Sequence, residues 1–191
     1  MFLNNYWKVK AAMDSHPRVY YNGNIHILGY LIGVKNVEGT SANLYIATTY
    51  STTALDYPDK VNQAGKQDRL LTVDNAVLIA TGDHTISADD YTIGGTNITS
   101  SFSNLSLSCV VNSELGGEIY TFTITGTYTG SSSVVVKRIG VTKNLEYNKV
   151  ADSSITSVYK TPFLLIEHEL ETPISLNNGD PLNIVLKITQ Q

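Results

Sequence analysis

The chain has 191 residues and a mass of 20.8 kDa, enough for one domain around a single core. Its net charge of −4 and pI near 5.5 argue against a nucleic-acid partner, which needs a basic stripe. No apolar run reaches the roughly 18 residues that a membrane-crossing helix requires, so no membrane partner is expected.

The first residues, Met1-Phe2-Leu3-Asn4-Asn5, lack a basic leader and a long apolar stretch. No signal peptide is therefore expected, and the sequons at Asn97 and Asn104 are expected to carry no glycan. Phe2, Tyr6, Val9 and Met13 fall at helical spacing, with Leu3 and Trp7 beside them. The spacing predicts a short helix or arm over residues 1–17, closed by Asp14-Ser15 and Pro17. A helix this short is marginal alone and must dock on something. The six residues Phe2, Leu3, Tyr6, Trp7, Val9 and Met13 are accordingly expected to dock either on the chain's own sandwich or, as the favoured reading, on another chain as an interface, with 14–17 as a hinge.

From residue 18 the pattern is that of strands. Val19-Tyr20-Tyr21 and Ile25-His26-Ile27 flank Asn22-Gly23, a hairpin signal. The apolar run from Ile25 to Val34 carries Gly29 and Gly33, which predicts a bulge or bend. Asn43 to Tyr50 is a further strand. Residues 51–68 have no clean period and are expected to be a long surface loop, with Tyr50 and Tyr57 as contact residues. Val77 to Ala80 is a short strand, and Gly94-Gly95 a turn. Phe102 to Val111 and Glu118 to Tyr128 alternate regularly, joined at Gly116-Gly117. The second places Tyr120, Phe122 and Ile124 on one face and Thr121, Thr123 and Thr125 on the other. Val134 to Val136, Phe163 to Leu170, Ile174 to Leu176 and Leu182 to Ile188 complete the series. Tyr147 and Tyr159 flank an irregular stretch.

Residues 18–191 thus read as a single all-β domain, an antiparallel β-sandwich or jelly-roll-like fold. Tyr120, Phe122, Ile124, Leu182, Ile184 and Leu186 are the expected core, with Lys187 facing out. Only 16% of residues are charged, while 21 Thr, 17 Ser and 16 Asn supply polarity that is cheap to desolvate. That composition suits a surface that packs against neighbours.

Candidates for chemistry are few. The single cysteine, Cys109, excludes an internal disulfide and alternates with Leu107 and Val111 as a small apolar residue. The four histidines lie far apart. In Glu167-His168-Glu169, strand alternation turns His168 away from both carboxylates, and a solvated strand face is expected. Asp83, Asp89 and Asp90 are weak calcium candidates, and a polar turn is the preferred reading. No nucleophile elbow, phosphate loop or zinc-protease motif is present. No catalytic residue and no cofactor is expected, and an enzyme is not.

The C-terminal third carries Lys137-Arg138-Ile139-Gly140-Val141, then Phe163 to Leu170, then Thr172-Pro173-Ile174-Ser175-Leu176, then Asn178-Gly179-Asp180-Pro181-Leu182-Asn183-Ile184. Residues 134–191 resemble the closing segment of small structural proteins of tailed-bacteriophage virions. Arg138-Ile139-Gly140 stands where that pattern usually has Glu-aliphatic-Gly. The resemblance implies a head, neck or tail component, made in the bacterial cytoplasm and built into the virion. Its expected partners are copies of itself, as a symmetric homo-oligomer, and other virion proteins. A glycan- or receptor-binding β-sandwich module, using the 51–68 loop, is the alternative.

Overall fold

A computed structural model of the chain describes residues 1–15, 18–21, 24–38, 41–50, 71, 75–114, 117–151 and 154–190. Side chains are described over 1–11, 35–38, 71, 75–112, 118–144 and 162–189. Among the described residues, the helix α1 (Asn4–Ser15) precedes ten strands. These are β1 (Arg18–Tyr21), β2 (Asn24–Lys35), β3 (Ser41–Tyr50), β4 (Asn75–Thr81), β5 (Thr96–Asn97), β6 (Phe102–Glu114), β7 (Gly117–Tyr128), β8 (Val134–Ala151), β9 (Ser154–Leu176) and β10 (Pro181–Gln190).

Two antiparallel sheets pack face to face as a sandwich. The larger holds β1, β2, β3, β8, β4, β5 and β9; the smaller has the order β10-β7-β6. Strand β8 is the spine of the larger sheet. It pairs along its whole length with β9, while β4 meets residues 138–143 and β3 meets Asn148 on its other edge. The ladder between β1 and β2 closes at Tyr21↔Asn24, either side of the Asn-Gly signal. The expected bulge in β2 is present as a register shift between Leu31 and Val34.

The alternation in β7 works as the sequence predicts. Tyr120, Phe122 and Ile124 are fully buried, and Leu182, Ile184 and Leu186 of β10 join them. They meet Val136, Ile139 and Val141 of β8 and Phe163, Leu165 and Ile166 of β9 in the space between the sheets. Cys109 is half-buried against the same core. A bulge in β9 decides where Glu167 points. The β8–β9 register steps from Val141↔Ile166 to Thr142↔Leu164, leaving Leu165 as the extra residue. The extra residue lets Leu165 and Ile166 both enter the core and sends Glu167, paired with Gly140, to the opposite face.

Three expectations are corrected. The stretch flanked by Tyr147 and Tyr159 is not irregular where it is described: residues up to 151 and from 154 onward belong to the β8–β9 ladder, with Tyr147 directly opposite Tyr159. Phe163–Leu170 and Ile174–Leu176 are one strand, β9, with Pro173 at a step in register between Val136↔Ile174 and Arg138↔Glu169. A proline has no N–H to donate, so it fits where the ladder is already interrupted.

The third correction concerns the N-terminus. Phe2 bridges to Ile166, the Leu3 N–H donates to the Leu165 carbonyl at 2.9 Å, and the Glu167 N–H donates to the Met1 carbonyl at 3.1 Å. Residues 1–3 therefore cover the edge of β9 rather than starting a helix. Leu3, Tyr6 and Val9 are fully buried within the chain itself, and Tyr6 and Val9 belong to the same core cluster as Tyr120 and Phe122. These three residues pack inside the chain itself, beside β9. Phe2 is half-buried, and Trp7 stays 41% exposed. The side chain of Met13 lies outside the described residues.

Candidate functional site

Among the described residues, a polar cluster lies on the outer face of the larger sheet, under the segment that joins β4 to β5. In β8, Ile139 and Val141 face the core, so Arg138 and Gly140 face outward. Opposite them on β9 stand Glu169 and Glu167. The 82–95 segment folds back over this patch. A side chain at Gly95 would stand 2.0 Å from the Thr81 carbonyl oxygen, and one at Gly94 would stand 2.1 Å from the His84 ring. Only glycine at both places lets the segment close and lay His84 against its own return.

Beneath it, Arg138 is fully buried. Its guanidinium lies 3.6 Å from Glu167 Oε1 and 3.3 Å from Glu169 Oε2, and it also donates to the carbonyls of Gly82 and His84. Glu167 is likewise fully buried, and its Oε1 accepts the Gly94 N–H at 3.1 Å. Burial pushes the Glu167 carboxyl above its ordinary range, against the pull of the Gly94 hydrogen bond. His84 Nε2 and Asp90 Oδ2 are 3.0 Å apart, and the same Asp90 oxygen accepts the Ser87 N–H at 2.6 Å. An open depression beside the cluster is lined by Asp83, His84, Thr85, Arg138 and Glu169.

The three calcium candidates do not converge. Asp83 pairs with Lys137 at 2.7 Å, and that hydrogen bond holds its carboxyl below the usual value. Asp89 accepts a hydrogen bond from Asn4 Nδ2 at 2.8 Å. Asp90 alone turns inward. Glu167-His168-Glu169 is not a solvated face either, since the 82–95 segment covers Glu167 while Glu169 remains 53% exposed. Tyr57 lies outside the described residues, as does the side chain of Tyr50.

Arg138 and Glu167 were legible as residues but not as a site. The Gly94 N–H and the carboxylate that it serves are 73 positions apart, and only the fold brings them together. The signal that could have flagged them is a pair of charged residues inside each of two apolar strand runs, Lys137 and Arg138 in Val134–Val141 and Glu167 and Glu169 in Phe163–Leu170.

Compared with known proteins, the chain matches no protein-family model, no curated protein and no solved structure.

Proposed function

We propose that this chain is a non-enzymatic assembly subunit of a tailed-bacteriophage particle, built to associate with copies of itself and with other virion proteins. The observation that carries the reading is the outer face of the smaller sheet. Cross-strand register sets Ser106, Thr125 and Asn183 in one row, Ser108, Thr123 and Val185 in the next, and Val110, Thr121 and Lys187 in a third. Among these nine side chains Lys187 is the one charge, and Val110 and Val185 are 58% and 60% exposed. Such a face loses little on desolvation, because hydroxyls and amides cost far less to dehydrate than ions.

The strand edges are less suited to pairing than the face. A register shift between Ser103 and Ser106, with Asn104 at φ 52°, interrupts the β6 edge, and Pro181 opens β10. Both features discourage edge-to-edge joining. A second copy applied to the face meets a largely uncharged, self-similar surface. The resemblance of residues 134–191 to phage structural proteins supports the same reading. The alternative of receptor binding through residues 51–68 falls outside the described residues.

The test is sedimentation velocity on the full chain and on a Val110→Lys/Val185→Lys variant, with circular dichroism to check folding. Self-association that is lost in a folded variant is the expected result. A chain that stays monomeric at every concentration, or a variant that associates as well as the original, overturns the reading.

A further inference from the structure

Among the described residues, His84, Asp90 and Glu167 bring one ligand atom each within 4.8 Å of one another. A hydrogen-bonded His–Asp pair on a surface turn is ordinary. The third member is not. Glu167 is fully buried, its Oε1 is engaged by Gly94 and faces Arg138, and its Oε2 has no hydrogen-bond partner. A carboxylate oxygen that is buried and unpaired is costly. Arg138 does not relieve it. A guanidinium that closes on a carboxylate as a fork uses both oxygens, whereas Arg138 reaches Oε1 only at 3.6 Å and turns Nη2 to Glu169 and the His84 carbonyl.

The charges point the same way. Asp90, Glu167 and Glu169 are three acidic groups against two cations, Arg138 and the Met1 ammonium. A divalent cation would find a net acidic set and give Glu167 Oε2 the partner that it lacks.

We propose that His84, Asp90 and Glu167 bind a divalent transition-metal ion, zinc by preference, which fastens the 82–95 segment to strand β9. One imidazole nitrogen and two carboxylate oxygens match zinc and its neighbours, whereas calcium takes an all-oxygen shell of six or more. Ligand atoms about 2.1 Å from a tetrahedral zinc stand roughly 3.4 Å apart. The His84–Asp90 separation of 3.0 Å is close to that, and small rotations of half-exposed His84 reach the rest. Three protein ligands leave a fourth position for water, with access from the depression beside Asp83 and Thr85. The site goes beyond the assembly reading and does not depend on it.

The experiment uses the full chain, freed of metal with a chelator, and titrates it with zinc, cobalt, manganese and calcium by calorimetry and thermal denaturation. Zinc is expected to bind one ion per chain and raise the melting temperature, and cobalt to give visible ligand-field bands. His84→Asn and Asp90→Asn, both outside the apolar core, should fold and weaken zinc by roughly 100-fold, the upper end of what losing even an outer partner costs. Glu167→Gln should do the same; if it does not fold, the other two variants decide. No stoichiometric binding of zinc, cobalt or manganese overturns the proposal. So does undiminished binding in the His84 and Asp90 variants, or calcium binding more tightly than zinc.

Discussion

The Arg138 guanidinium lies 3.6 Å from the Glu167 carboxylate, and the two side chains are 1% and 0% exposed. They sit on adjacent strands of the larger sheet, under a loop rather than in the core. A buried pair of this kind contributes little net stability, because desolvating two ions offsets their attraction. Its effect appears when one partner is removed.

Arg138→Met should destabilise the fold by about 3–5 kcal/mol, since it leaves Glu167 buried without its cation. Adding Glu167→Leu to the same chain should recover most of that loss, because the uncompensated charge goes as well. Urea denaturation of the two single variants and the double variant measures the coupling. Additive losses would mean that the pair is not a unit.

A second prediction separates the buried from the exposed part of the N-terminal stripe. Tyr6 is fully buried, with ring contacts to Phe2 at 4.4 Å and its hydroxyl 3.4 Å from that of Tyr120. Trp7 meets Phe2 and Tyr6 edge-on while 41% exposed. Tyr6→Ala should cost about 3–5 kcal/mol, the usual range for a truncated core aromatic. Trp7→Ala should cost about 1 kcal/mol, mostly lost ring contact. A chain starting at Arg18 should accordingly be much less stable than the full chain. Melting curves of the three chains decide.

The contrast between β7 and the N-terminal helix separates what is legible in a sequence from what is not. The period-2 pattern of β7 and β10 identified six core residues, because one face of each strand is core and the other is not. The helical spacing of Tyr6 and Val9 was equally plain, yet spacing says only that a face must be covered, not by what. The β8–β9 ladder around Tyr147 and Tyr159 is hidden for a different reason. Lys143, Asn144, Glu146, Asn148 and Lys149 break any alternation, and cross-strand backbone bonds carry the strands there. The Arg138–Glu167–His84–Asp90 cluster was hidden by distance along the chain and by a single bulge at Leu165. Strict alternation from Phe163 and Leu165 would instead put Glu167 on the core face.

His168 supplies a pH dependence. Burial lowers its pKa below the ordinary 6.5, the Met1 ammonium adds to the effect, and Glu171 and Glu169 oppose it. Below pH 6.5 the unfolded chain therefore binds more protons at this residue than the folded chain does. That contribution to stability is present above pH 6.5 and is lost as pH falls through the lower folded value. Glu167 acts in the opposite sense, because its folded pKa is raised. The informative comparison is therefore between chains. His168→Asn should lose less stability than the original between pH 6.5 and pH 5, as read from melting temperatures in matched buffers. Parallel curves would show that His168 titrates alike in both states.

Two glycines with positive φ should respond differently to the same substitution. Gly179 lies at φ 89° in the turn before β10, where Asp180 Oδ2 accepts the Asn177 N–H at 2.6 Å. A Cβ there meets nothing within 4 Å. Gly179→Ala therefore adds only the cost of left-handed backbone, about 1–2 kcal/mol. Gly95 has a similar φ of 78°, but its Cβ would fall 2.0 Å from the Thr81 carbonyl oxygen, a backbone atom that cannot swing aside. Gly95→Ala must also move the β4 end or the loop return, so it should cost distinctly more. It should also loosen the cover over Glu167, because Gly94, which hydrogen-bonds that carboxylate, is the adjacent residue. Hydrogen exchange across residues 82–95 reads this directly. Faster exchange there in Gly95→Ala, with Gly179→Ala unchanged in the same segment, is the expected pattern. Equal losses in both variants would show that backbone strain alone, and not the close approach to Thr81, governs the two sites.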